Sequence, residues 1–230
     1  PEPDAHPGPI PAPTTHGYGR HRGEKILMAH ISTEDELRKV YKTPKGRALA
    51  KQMSKLDKHS KRFIELSPFL LISSTGPDSL GDITPRGEKP GFVLILYDNT
   101  IAIPDRPGNN RLDTLSNVLK HSGVGAIFFI PGVNETLRIN GHAKILTDFN
   151  LLRRFEIQGK LPLSVLLIQI HEVYLHCAKA LMRSDLWSSK AQAKERPIPA
   201  MAQMIKDQSG GNFPLGSDEE VKSRYAKLLY

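Results

Sequence analysis

Past Pro68 the chain breaks into short runs of branched and aromatic residues, with helical patterning in only a minority of the connections between them. Phe69–Ser73, Phe92–Tyr97, Thr100–Ile103, Val124–Ile130, Leu137–Leu146 and Ser164–Ala178 read as six strands. Asp98-Asn99 is a two-residue return between two of them, and Pro131-Gly132-Val133-Asn134 starts another reversal. Helical patterning occupies only two connections, about Asn110–Lys120 and Asp148–Gln158. Parallel strands need a crossover in nearly every connection, so a doubly wound sheet is excluded. The pattern predicts a mostly β (α+β) protein built on an antiparallel split barrel with helical N- and C-terminal extensions.

The flanks carry a different grammar. Residues 1–23 are rich in Pro, His and Gly and read as a flexible arm, because they offer little to bury against the entropy of ordering. Residues 24–66 form a helical extension. Thr33 and Glu36 fit a capping box with acids in the first turn, and a second helical stretch runs from about Lys45 to Leu66. The barrel is expected over 67–187. A helical tail follows over 188–230, its second piece opened by Ser217-x-x-Glu220.

Of 230 residues 39% are hydrophobic and 24% charged, a globular composition able to bury a core without disulfides. Cys177 is the single cysteine, which excludes an internal disulfide and a cysteine-based zinc site and suggests a reducing, cytoplasmic setting. No metal site is expected: His6, His16 and His21 lack regular spacing, and His171 and His176 face opposite ways on a strand. No apolar run approaches a membrane span, and Pro1-Glu2-Pro3-Asp4 leads into no secretory signal. The net charge is +8, but residues 1–62 hold 13 Lys/Arg against 7 Asp/Glu and so most of the excess. Basic character outside the barrel argues against nucleic acid as the main partner. P-loop, His-Glu-x-x-His, Gly-x-Ser-x-Gly and Gly-x-Gly-x-x-Gly patterns are missing from the sequence.

The chemistry concentrates between Ile101 and Asn117. A strand ends near Pro104, a Gly/Asn loop follows, and a helix is expected to begin near Asn110, capped by Asn109 or Asn110. Arg106 and Arg111 flank its first turn and Thr114 offers a hydroxyl. Free N–H groups, the positive helix end and two guanidiniums suit a phosphate monoester, although a capped helix with two surface arginines has the same signature. Arg138, Asn140, His142 and Lys144 share one face of the strand Leu137–Leu146, and Arg86 stands on a constrained backbone between Pro85 and Gly87.

Ser67-Pro-Phe-Leu-Leu-Ile, Gly81-Asp-Ile-Thr-Pro-Arg-Gly, Ile103-Pro-Asp-Arg-Pro-Gly-Asn-Asn-Arg-Leu-Asp-Thr-Leu, Pro131-Gly-Val-Asn-Glu-Thr-Leu-Arg-Ile-Asn-Gly and His176-Cys-Ala-Lys-Ala-Leu-Met-Arg-Ser-Asp-Leu-Trp occur in that order. In them the chain resembles the pyridoxamine 5'-phosphate oxidase-like family of FMN-binding split barrels, in its bacterial flavoprotein branch. The likeness spans roughly residues 30–190. It implies a homodimer with FMN at the subunit interface, acting as an oxidoreductase on a small-molecule substrate. Storage or sensing of flavin without turnover is the alternative. By this resemblance Arg106, Asn110, Arg111 and Thr114 would bind the FMN phosphate, and Thr84 and Arg86 would lie along the flavin and ribityl chain. Glu135, Thr136 and Arg138 would reach the flavin from the second subunit, and Lys179 and Arg183 would close the site. No catalytic residue is assigned. These segments bear little likeness to the basic substrate-binding end of true pyridoxamine phosphate oxidases.

Overall fold

The computed structural model describes residues 30–211 and Ser223. The arm over 1–23 and the capping box at Ser217 lie outside the described residues. The chain divides into two units, Pro1–Pro44 and Lys45–Tyr230. In the first stands α1 (Glu34–Val40), opened by the Thr33/Glu36 capping box in both directions.

The second unit opens with α2 (Arg47–Ala50) and α3 (Lys58–Leu66). The single helical stretch expected over Lys45–Leu66 is therefore two helices. Between them Met53 forms an antiparallel bridge with Val173, and Asp57 restarts the helix by accepting the backbone N–H of Ser60 at 2.8 Å. That hydrogen bond holds the Asp57 carboxyl below its ordinary value. Phe63 and Ile64 of α3 enter the main core, so this segment belongs to the barrel unit rather than to a separate extension.

Seven strands follow: β1 (Phe69–Thr75), β2 (Gly81–Gly87), β3 (Leu94–Tyr97), β4 (Thr100–Asp105), then α4 (Asp113–Lys120), β5 (Gly123–Phe129), β6 (Thr136–Leu146), α5 (Phe149–Arg153) and β7 (Ser164–His176), with α6 (Lys179–Ser184) and α7 (Met201–Gln208) behind them. They form one antiparallel sheet in the order β2-β1-β5-β6-β7-β4-β3, curved but not closed by hydrogen bonds. The architecture is the expected antiparallel α+β fold.

The strand that sequence patterning does not yield is β2. Asp82-Ile83-Thr84-Pro85-Arg86-Gly87 has the composition of a turn, yet it pairs with β1 from Gly81 to Gly87. It survives because it is an edge: β1 is its one neighbour, and proline is tolerated where no second ladder is needed. Alternation puts Asp82, Thr84 and Arg86, each half-buried, on one face, and Ile83, 68% exposed, on the other.

β4 has the opposite character. Thr100 to Pro104 are all buried, with Ile101 and Ile103 in the main core and Ala102 in a second cluster with Phe155 and Val165. β3 ends opposite Ala102, so Pro104 stands where β4 is paired with β7 alone. The main core joins Ile64, Leu70, Ile72, Phe128, Leu137, Ile139, Ile168 and Val173, all nearly solvent-free.

Candidate functional site

β2 and β4 share no backbone ladder, yet their ends meet. Between them and the loop leading to α4 lies a cleft of about 410 Å³, lined among others by Asp82, Thr84, Arg86, Glu88, Asp105 and Arg106 on the strand side and by Asn110, Arg111, Asp113 and Thr114 on the loop side. This volume suits a cofactor-sized ligand. The cleft is the split of the barrel.

Its loop is unusual. Asn110 and Leu112 both have φ near +60°, a region that bulky side chains rarely adopt, so the helix cannot start at Asn110 as the sequence suggests. It starts three residues later at Asp113. Neither Asn109 nor Asn110 caps it. Asn109 Oδ1 accepts the Arg111 N–H at 3.1 Å, and the N-cap position falls to Leu112, which has no capping group. The first turn of α4 thus opens beside the cleft without a side-chain acceptor, an arrangement that favours an external anion.

Every arginine in the cleft has a carboxylate. Arg111 Nε is 2.8 Å from Asp113 Oδ2, a pair largely in solvent with Arg111 75% exposed. Arg86 Nη2 reaches Asp105 Oδ1 at 3.1 Å, while its Nη1 donates to Thr84 Oγ1 and the Pro85 carbonyl. Arg106 binds both oxygens of Glu88, at 2.8 and 3.1 Å, and the Phe155 carbonyl at 2.9 Å. On the floor, Thr114 and Ser74 hydroxyls donate to Asp82 Oδ2 and Asn117 donates to Ser74. Four carboxylates therefore face three guanidiniums, and an entering phosphate must take cations by exchange. Solvent screening leaves an exposed pair weak, so Arg111 is the cation exchanged most readily.

Arg111 and Asp113 are two residues apart, but the Arg86–Asp105 and Arg106–Glu88 pairs and the contacts of Asp82 are tertiary, and nothing in the spacing of the motifs reveals them. Burial raises the Asp105 carboxyl above its ordinary value, outweighing the nearby Arg86 charge. The sign follows: the folded state holds this proton more tightly than the unfolded one, so Asp105 contributes stability in acid that is lost as pH rises through its folded value. Replacing Asp105 with Asn removes that loss. In urea unfolding at pH 4 and pH 7, the stability difference, variant minus wild type, is expected to move in favour of Asp105→Asn at the higher pH. A shift the other way would contradict the burial argument.

One chain brings Thr84, Arg86, Arg106, Asn110, Arg111 and Thr114 to this cleft, and leaves the other expected residues elsewhere. Glu135 lies exposed before β6, and Thr136 is buried with no hydrogen-bond partner for its hydroxyl. Arg138 borders a second groove of about 270 Å³ on the sheet, with Leu71, Ile83, Ile127, Asn140 and His176. It makes no salt bridge among the described residues; its guanidinium lies 5.6 Å from the Tyr174 ring, with Lys51 Nζ 5.4 Å from the same ring. Lys179 and Arg183 stand exposed on α6 and border neither cavity. Trp187, beyond α6, donates its indole N–H to the Val133 carbonyl. Among the described residues no group of His, Cys, Asp or Glu is arranged to hold a metal, and no helix is long and apolar enough to cross a membrane.

Comparison with known proteins gives partial likenesses among solved structures. HupZ of Group A Streptococcus is 13% identical over 52% of this chain and 93% of its own, with a TM-score of 0.43. An FMN-binding protein from Syntrophomonas wolfei subsp. wolfei is 13% identical over 51% and 88%, TM-score 0.40. The general stress protein 26 from Bacillus anthracis str. Sterne is 15% identical over 50% and 88%, TM-score 0.36. No curated protein sequence matches the chain. The family model for pyridoxamine 5'-phosphate oxidase matches residues 56–177, from just before α3 to just past the end of β7, and so takes in the whole sheet and the cleft at its split. The chain belongs to the pyridoxamine 5'-phosphate oxidase family.

Proposed function

We propose that this chain is an FMN-binding oxidoreductase of the pyridoxamine 5'-phosphate oxidase-like type, working as a homodimer on a small organic substrate. The observation that carries the reading is the anion-ready end of the cleft: an uncapped helix start next to Arg111, whose guanidinium is only loosely held. Asn110, Arg111 and the first turn of α4 receive the phosphate. Thr84 and Arg86, on the inward face of β2, flank the ribityl chain. When bound, FMN supplies a ring that accepts and returns electrons at N5, and the protein's part is to bind, orient and shield it.

The second copy has a physical reason. The cleft's own cations are matched by carboxylates, whereas Arg138 on the open sheet face has no acidic partner among the described residues. Beside it Ile83 is two-thirds exposed on the edge strand. Docking a second copy on this face covers apolar surface and brings an uncommitted guanidinium to a ligand that needs one, and an isologous contact supplies both sites at once. Glu135, exposed just before the same strand, comes with it, whereas the Thr136 hydroxyl is buried within its own chain. Lys179 and Arg183, exposed on α6 and bordering neither cavity in one chain, would close the site only once the second copy is docked.

Titrating flavin-free protein with FMN and following quenching of flavin fluorescence tests the cofactor. Anaerobic addition of NADH or NADPH, followed by an electron acceptor, then tests turnover. Bleaching of the bound flavin and its recovery support an oxidoreductase; FMN binding without reduction by any donor supports a carrier; and absence of binding overturns the reading.

A further inference from the structure

Asp105 and Arg106 are adjacent at the end of β4, and each crosses to the far end of β2 and the residue after it: Asp105 to Arg86, Arg106 to Glu88. These strands stand first and sixth in the sheet order and share no ladder. The two ion pairs are therefore a clasp across the split, made by side chains where backbone pairing is missing. The order of signs specifies it, because exchanging partners would set Arg86 against Arg106 and Glu88 against Asp105. The two pairs differ in depth. Arg86 and Asp105 are 25% and 15% exposed; Arg106 and Glu88 are 17% and 9%, with the carboxylate bound through both oxygens. Arg106 is tied a third time, to the carbonyl of Phe155, a buried residue packed with Ala102 and Val165.

We propose that Arg106 is a positioning residue and not a ligand contact: clasped to Glu88 and Phe155, it fixes where the loop carrying Asn110 and Arg111 leaves β4, and so where the anion site stands. This rests on the phosphate reading above and departs from the ligand role that family resemblance gives Arg106. With Nε and Nη2 committed to Glu88 and Phe155, the guanidinium cannot offer a phosphate its two-pronged edge without leaving that nearly buried carboxylate charged and unpaired, which is strongly destabilising. Arg111, one turn of loop away, meets no such barrier.

A charge exchange separates the two roles, read as Tm of the ligand-free chain and as Kd for FMN. Arg106→Glu, which sets two carboxylates face to face, should lower Tm by about 10 °C and weaken FMN by about tenfold or more. The double variant Arg106→Glu/Glu88→Arg should recover most of both, to within about threefold in Kd. A ligand role requires the reverse in binding: a glutamate at 106 repels phosphate, so the double variant would regain Tm but remain as weak for FMN as the single one. Glu88→Gln keeps the question decidable if the double variant folds poorly. A clasp predicts weaker FMN binding on losing Glu88's charge, whereas a ligand role predicts equal or tighter binding, since a nearby negative charge is gone. If wild-type protein bound no FMN, the cofactor reading would fail, and with it the anion-site half of this proposal. The Tm cycle would still decide the clasp.

Discussion

Gly141→Ala is expected to destabilise the protein by about 3 kcal/mol, lowering Tm by roughly 6–12 °C. At this point β6 and β7 slip register: Asn140 faces Glu172 and Gly141 faces Ile170, leaving His171 extra on β7. A Cβ on Gly141 would stand 2.2 Å from the Gln169 carbonyl oxygen and 3.0 Å from its carbon. Both belong to backbone in the longest strand pair of the sheet, so relief demands moving a strand rather than a side chain. Two controls calibrate the effect. Gly125→Ala meets the Ser73 hydroxyl at 2.7 Å, a group that can rotate away, and should cost less. Gly123→Ala meets nothing within 4 Å and should be close to neutral. Urea unfolding of the three variants checks the order; a Gly141→Ala protein as stable as Gly123→Ala would mean that the bulge does not bring β7 this close.

Arg111→Ala is expected to weaken FMN by about 10- to 150-fold, the equivalent of 1.5–3 kcal/mol for a hydrogen bond to a charged group, and to leave riboflavin within about twofold. Riboflavin lacks the phosphate, so the difference isolates that contact. In the ligand-free chain Arg111 holds only Asp113, on the surface, and its removal should barely change Tm. Leu115 and Val118 still fasten α4 to the core. Arg111→Lys should recover part of the loss, because lysine keeps the charge without the two-pronged donor. Calorimetric titration with both flavins checks it. Equal losses for the two, or none, would remove Arg111 from the phosphate site.

Fold class was legible in the chain because a half-buried antiparallel sheet writes itself as short branched runs with tight returns, and the Asp98-Asn99 hairpin stands where those signals put it. β2 was not legible. Its Asp, Pro and Gly are turn residues by propensity, and only its place at the sheet edge makes a strand of them. The start of α4 was misplaced by three residues because Asn110 and Leu112 take left-handed backbone, which asparagine hints at and leucine hides. Of the cleft's lining, residues close in sequence such as Asn110, Arg111 and Thr114 could be gathered from spacing. The carboxylates facing the arginines could not, since Glu88 and Asp105 come to Arg106 and Arg86 only through the curl of the whole sheet. Sequence alone therefore gave Arg106 and Arg111 the same role. Their surroundings differ: Arg106 is bound to both oxygens of a nearly buried carboxylate, Arg111 to an exposed one.

The most direct measurement is sedimentation velocity of the FMN-loaded protein, recorded at the flavin absorbance as well as at 280 nm. A cleft at the barrel split that is completed by Arg138 of a second copy predicts that all bound flavin travels with a dimer, one flavin per chain. It also predicts that Arg138→Glu releases flavin and dissociates the dimer together. A monomer carrying stoichiometric FMN, unaffected by Arg138→Glu, would contradict the shared site.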